Sequence, residues 1–298
     1  MRVSSDQFYQ TAIRNIQISS DKYSKLSVQM ATNERITKPS DDPLGSVLTL
    51  RLNSELTTLE QYGKNMQQAT YTLSQQETQL SSINNLLLSV QTLATAAADG
   101  SYGTDELKAM ANELDVLLPG IVDLLNARDG EGNYLFAGSE IDLQPFVKDA
   151  SGQYIYQGDA QVRKVAVSAE TLVNSNITGA QLAPGAGFIN QLQDYIALLQ
   201  APPATGAGTE SRQMLDELEA MLGRTTAALT QIGGTVSSLD ELKNTNVDIA
   251  QFTENLRDDI NAVHYPSAYI DMNNALASYE STLKVYSSVS QLSLFNLL

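Results

Sequence analysis

Apolar residues recur along most of this chain at intervals of three and four. The strongest run lies between about Ser46 and Ala98. Leu52, Leu59, Met66, Leu73, Leu80, Leu87 and Ala94 stand one heptad apart, and Glu55, Tyr62, Ala69, Gln76, Ile83, Val90 and Ala97 follow them by three residues. Apolar residues sustained at a and d positions mark a helix lying along another helix. No proline interrupts the run, and Gly63 is its only interior glycine. The pattern predicts one helix, roughly 80 Å long at ~1.5 Å per residue. Such a length exceeds a compact domain, so an elongated rod is expected, with the rest of the chain partnering the stripe.

Residues 1–36 carry a second stripe, Tyr9, Ile16, Tyr23 and Met30 with Ala12, Ser19 and Leu26 between. It is weaker, with Ser19 and Asn33 at d positions, and a weak isolated helix is marginal in water. Pro39 and Pro43 break the helical pattern, and Pro43 suits a first helical position after Ser40, Asp41 and Asp42. The long helix should end at Asp99-Gly100. A third helix follows, with Thr104 as its expected cap, Asp105 and Glu106 in its first turn, Leu107, Met110, Leu114, Leu117, Ile121 and Leu124 along one face, and a kink at Pro119.

From Asn133 to about Gly187 the pattern changes. Tyr134-Leu135-Phe136, Pro145-Phe146-Val147, Tyr154-Ile155-Tyr156 and Val162 to Val167 are short β-branched and aromatic runs punctuated by turn residues, which reads as strands. Helix returns at Phe188–Leu199. After the Ala201–Gly208 loop, a second long helix is expected over about 210–262. Its a positions are Leu218, Thr225, Ile232, Leu239 and Asn246, and its d positions are Met221, Ala228, Thr235, Leu242, Ile249 and Leu256. Gly233-Gly234 reads as a weak point or a close approach of another backbone. A last segment, Tyr265 to Leu298, places Met272, Tyr279 and Tyr286 one heptad apart with Leu276 and Leu283 on the same face. The layout is palindromic: weak terminal helix, long helix, β insertion, long helix, weak terminal helix. The expected fold is mainly α with an inserted β-rich domain. Residues 1–40 and 263–298 form a terminal coiled coil, 41–132 and 188–262 a helical rod, and 133–187 a β-rich outer domain.

Composition narrows the function. The chain of 298 residues carries a formal charge of −16 and has no cysteine. An acidic protein of this kind is unsuited to nucleic acid or an anionic membrane. Without cysteine there is no disulfide framework, thiolate metal site or cysteine nucleophile. Asp6, Arg14, Asp21, Lys22 and Lys25 fall where a cleaved signal peptide would need an apolar block, and no run of ~18 apolar residues could span a membrane. His264, the only histidine, lies near Asp258 and Asp259 at a helix break, where a structural role far outweighs catalysis. Asp129, Glu131, Asn133 and Glu140 match positions 1, 3, 5 and 12 of a calcium loop, but Tyr134 replaces its required glycine. No phosphate loop or nucleophile elbow occurs. The search for chemistry ends empty, and no enzyme, cofactor or metal is expected. Six of the thirteen tyrosines lie in the terminal segments, which suits an interface as well as it suits core packing.

Four stretches carry a family resemblance. Arg35-Ile36-Thr37-Lys38-Pro39-Ser40-Asp41-Asp42-Pro43-Leu44-Gly45 resembles the R-I-x-x-P-S-D-D-P-x-G segment of the flagellin superfamily. Gly132-Asn133-Tyr134-Leu135-Phe136-Ala137-Gly138-Ser139 with Pro145-Phe146, continued by Tyr154–Asp159, resembles a signature of the flagellar hook-associated protein 3 (FlgL) family that true flagellins lack. The end, from Ser290, resembles the family's C-terminus. The likeness covers essentially the whole chain and departs at Val263-His264-Tyr265, where the superfamily usually has an acidic residue. It implies a non-enzymatic structural subunit at the junction between the bacterial flagellar hook and the filament, exported uncleaved through the type III channel. The implied partners are copies of itself in a ring or short helical layer, a neighbouring hook-associated protein, flagellin and an export chaperone, with no nucleic acid and no membrane. A flagellin-type filament subunit is the alternative. The assembly residues expected from the weak stripes are Tyr9, Ile16, Tyr23, Met30, Met272, Leu276, Tyr279, Leu283, Tyr286 and Phe295. A secreted enzyme or carbohydrate binder on a helical stalk, with its activity in residues 133–187, is a third and remote reading.

Overall fold

The computed structural model describes residues 2–203 and 206–295, with side chains for residues 7–203 and 206–290. Seven α-helices, α1 (Arg2–Thr32), α2 (Pro43–Ala98), α3 (Thr104–Leu125), α4 (Gly179–Leu182), α5 (Gly187–Gln200), α6 (Gly208–Asn261) and α7 (Tyr265–Phe295), account for most of it. Four three-residue strands, β1 (Phe146–Lys148), β2 (Tyr154–Tyr156), β3 (Lys164–Ala166) and β4 (Leu172–Asn174), form two separate antiparallel hairpins. The fold is therefore mainly helical with a small β region. By contact the chain divides into two compact units, residues 1–58 with 248–298 and residues 59–247. Both α2 and α6 contribute to each.

The larger unit is held by one buried cluster. Met66, Leu73, Leu80, Ile83, Leu87, Val90 and Ala94 of α2 meet Leu107, Leu114 and Ile121 of α3, Ile189, Leu192 and Leu199 of α5, and Leu218, Met221 and Ile232 of α6. The heptad positions expected to face inward do so over this span. Pro119 sits inside α3 without ending it, because buried Leu118 and Ile121 on either side hold the turn in place. Gly103 rather than Thr104 is the N-cap of α3, and no side chain caps it. Gly233 and Gly234 interrupt nothing: α6 runs through them, and no atom lies within 4 Å of where their Cβ atoms would stand.

The 133–187 segment departs from the expected pattern of strands. Tyr134, Leu135 and Phe136 are not a strand; their backbone is taken up by a single bridge from Tyr134 to Arg128 and by turns. The aromatic side chains nevertheless go inward. Phe136 and Phe146 are fully buried, in the same cluster as the helices, so the segment packs as part of this unit. Tyr156 packs against Phe146 and donates its hydroxyl proton toward the carbonyls of Phe136 and Asp159 at 2.9 and 2.8 Å. Burial pushes that phenol up to about 12. Gly179 passes so close that a Cβ would stand 2.6 Å from the Tyr156 ring, which explains a glycine there.

One polar residue of the α2 stripe ties these parts together. Gln76 is fully buried at a d position. Its amide nitrogen donates to the carbonyls of Leu135 (2.7 Å) and Ile177 (2.8 Å), and its carbonyl oxygen accepts the Ile177 N–H at 2.8 Å. The irregular segment thus closes both its flanks onto one helical side chain. Replacing Gln76 by Leu strands three buried backbone groups that cost about 1–3 kcal/mol each when unpaired. We expect Gln76→Leu to lower the unfolding free energy in urea by at least ~3 kcal/mol, with the loss concentrated in residues 133–187 by hydrogen exchange; a loss below ~1 kcal/mol would show that the amide is not a structural tie.

Candidate assembly interface

In the smaller unit α1 and α7 run antiparallel. The Tyr9 and Tyr286 rings meet edge to face with centroids 5.7 Å apart, and the Tyr9 hydroxyl reaches the carbonyl of Val289 at 3.5 Å. Ser19 contacts Ser278, Lys22 faces Asp271, and the Tyr265 hydroxyl donates to the carbonyl of Met30 at 3.1 Å. Residue numbers rise on one helix as they fall on the other, so the stripes align in register. The seam is narrow: Ala12, Ala268, Ala275 and Gln29 are buried, while larger side chains along it are only half covered.

The residues expected to form the assembly interface take these positions. Tyr9, Ile16, Tyr23 and Met30 on α1 and Met272, Leu276, Tyr279 and Tyr286 on α7 are half-buried along the seam. Leu283 is exposed beside it. Phe295 lies in α7, its side chain outside the described residues. The apolar residues that point to solvent are others: Phe8, Ile13, Ile18 and Val28 on α1, and Tyr265, Tyr269, Ile270 and Val285 on α7.

The segment between α1 and α2 is a clasp built from charged side chains on a turn. Arg35 donates from Nε and Nη2 to the carbonyl of Ile260, and from Nη2 to Asp42 at 3.0 Å. Its backbone N–H donates to Asn261 at 2.7 Å, and the Ile36 N–H donates to the Asn261 side chain. These bonds satisfy carbonyls at the C-terminal end of α6 that the helix itself leaves open. Asp42 accepts the Gly45 N–H at 2.9 Å and so caps the first turn of α2. A Cβ on Gly45 would stand 2.6 Å from the side chains of both Asp42 and Ile36, so any larger residue here would displace the clasp. Asp41 accepts Lys25 Nζ at 2.7 Å and the hydroxyl and backbone N–H of Thr37. The bond from Lys25 holds the Asp41 carboxyl well below the usual range, at about 2, and the Gly45 N–H with Arg35 lowers Asp42 as well.

The remaining candidates for chemistry are structural. His264 is exposed; its Nδ1 pairs with Ser267 at 2.8 Å, and its carbonyl accepts the Ala268 N–H at the start of α7. The Asp129 carboxylate accepts the N–H groups of Glu131 and Asn133 and the Asn133 amide, so its oxygens close a turn. Among the described residues no cluster of histidines and carboxylates could hold a metal ion, and no helix is long and apolar enough to cross a membrane.

The second long helix corrects the sequence expectation near its end. Ile249 and Leu256, expected at inward d positions, are exposed, whereas Thr253 is buried and Asn246, Ala250 and Arg257 are half-buried. The reason is geometric. A straight helix slips about 20° per heptad against a strict seven-residue repeat. Thr253, five heptads after Leu218, is still buried, so only the second row moves: the e positions Ala250 and Arg257 take the place of the d positions Ile249 and Leu256, a partial slip.

The profile of the bacterial flagellin N-terminal helical region matches residues 3–140. The flagellar hook-associated protein 3 of Escherichia coli is 26% identical over 321 aligned positions, covering 100% of this chain and 99% of that protein. The flagellar hook-associated protein 3 of Salmonella typhimurium is 31% identical over 182, covering 61% of this chain and 56% of that protein, so this alignment spans little more than half of the relative's length. A solved structure of a putative flagellar hook-associated protein from Vibrio parahaemolyticus superposes with a TM-score of 0.69 at 29% identity, over 74% of this chain and 100% of that one.

The sign of the acid response follows from Asp41. Its folded value lies below its ordinary 3.8, so its contribution to the clasp is complete above about pH 4 and is lost as pH falls through about 2. We expect an NMR titration of the Asp41 carboxyl to give a midpoint near 2, moving up toward 3.8 in Lys25→Met; an unchanged midpoint in the variant would remove Lys25 as the cause.

Proposed function

We propose that this chain, which belongs to the flagellar hook-associated protein 3 (FlgL) family of the flagellin superfamily, is a structural junction subunit joining the hook side of the bacterial flagellum to its flagellin filament. The observation that carries this reading is the joined unit at the two chain ends. Antiparallel α1 and α7, clasped to the end of α6 through Arg35, form a helical surface rich in tyrosine whose charges nearly cancel, suited to packing against other helices. In this reading Tyr9, Ile16, Tyr23, Met30, Met272, Leu276, Tyr279 and Tyr286 hold the terminal helices together, and the resulting unit meets neighbouring subunits. Its neighbours are further copies of the chain, another hook-associated protein on one side and flagellin on the other. Passage through the flagellar export channel fits terminal helices whose seam is too narrow to fold early, and an export chaperone would cover them before assembly. Among the described residues no group with catalytic geometry supports a chemical role.

Deleting the gene in its own bacterium is expected to leave hooks without filaments by electron microscopy, with flagellin released into the medium. Reintroducing the chain with Tyr9→Lys and Tyr286→Lys, which places two like charges in the seam, is expected to restore filaments in fewer than about one cell in ten, by the cost of apposed like charges. Normal filaments in the deletion strain would overturn the reading, and long homopolymers from the purified chain would favour a filament subunit instead.

A further inference from the structure

The outer part of the α2–α6 pair is inverted. Along the part of α6 in the smaller unit, the residues turned inward are small or polar, namely Ala250 and Thr253. Its apolar residues lie on another face: Ile249, Phe252 and Leu256 are 43, 69 and 39% exposed, at spacings of three and four. The start of α2 repeats the arrangement. Leu44 and Val47 are 81 and 59% exposed, Leu48 shares their face, and Gly45, Thr49 and Leu52 turn inward. Both faces belong to the smaller unit. Contiguous apolar surface of this kind on an otherwise acidic protein marks a contact site.

Charge names the occupant. Arg51 continues the Leu44 and Leu48 row at helical spacing, whereas Asp248 and Asp259 flank Phe252 on its own face. All three are exposed, and among the described residues none of them is in an ion pair. Pairing the Phe252 face with itself would oppose Asp248 and Asp259 to like charges; the Leu44 face, whose row runs on through Arg51 to Glu55, is close to neutral, and setting it against the Phe252 face joins apolar to apolar and brings Arg51 to the two aspartates. The smaller unit also carries nine basic against twelve acidic side chains, a net −3, whereas the larger carries nine against 22, a net −13. Copies can therefore approach through the smaller unit with little repulsion.

We infer that the Leu44–Val47–Leu48 face of one copy seats on the Ile249–Phe252–Leu256 face of the next, a head-to-tail contact between identical chains. This rests on the junction-subunit reading and specifies its self-assembly surface. Because the two faces differ, the contact is heterologous and propagates into a ring or helical layer instead of stopping at a pair.

The chain has no cysteine, which permits a direct test. Flagella are isolated from cells producing Val47→Cys/Phe252→Cys and treated with a short bismaleimide. A ladder of dimers, trimers and longer oligomers is expected on denaturing gels, with neither single variant giving more than dimers. Arg51→Glu should reduce the ladder at least fivefold, and adding Asp248→Lys should restore it. Linkage that stops at dimers in the double variant would overturn the head-to-tail arrangement. No linkage in flagella that carry the double variant by immunoblot would overturn the contact while leaving the junction reading intact. Absence of the unmodified chain from filamented flagella would overturn both.

Discussion

Gln76 carries the constraint on which the larger unit depends. Its neighbours on the stripe, Ala69, Leu73, Leu80 and Ile83, are apolar and buried, and a buried polar group among them is tolerated only because it is satisfied. Its amide accepts and donates to backbone on both flanks of a segment with only twelve residues in strands. Two three-residue hairpins cannot stand alone in water. They persist because Phe136 and Phe146 share the helical core and Gln76 fixes where the backbone enters and leaves it. The β region is thus an ornament of the bundle, held by Gln76 at its flanks and by Asn65 and Asn190 at its strands.

The smaller unit is built on the opposite economy. It has little apolar core of its own: Ala12, Leu52, Ala268 and Ala275 are its buried apolar side chains among the described residues. What joins its segments is largely directional. Arg35 reaches the α6 carbonyls, Asp42 reaches the α2 amides, and Asp41 reaches Lys25. Exposed ion pairs alone contribute little, but here they orient partners for backbone groups at two helix ends and in the turn between α1 and α2. A unit held by caps and a thin seam, with most of its large apolar side chains outside, is suited to being completed by other copies.

Packing drift links the two halves of this picture. Long helices with a seven-residue repeat must either supercoil or let the repeat slip. Along α6 the a positions stay inward as far as Thr253, while beyond Leu242 the d positions give way to e positions and Ile249 and Leu256 face solvent. Ile249 and Leu256 keep their place in the sequence pattern while changing their role.

Much of this was legible in the amino-acid sequence. Heptad spacing, Pro43 after two N-cap residues and Gly100 after the last apolar position were enough to delimit α2, because helix ends and helix faces are decided by neighbours within a few residues. The same local logic located α1, α5, α6 and α7 and the motif that became the Arg35 clasp. The tertiary structure alone decided which stripes were spent on which partner. Tyr9 and Tyr286 are consumed by one another, Phe252 is left outside, and Tyr134–Phe136 packs inward without becoming a strand. Each of these depends on residues far apart in the chain, whose hydrogen bonds and accumulated helical rotation no local window contains.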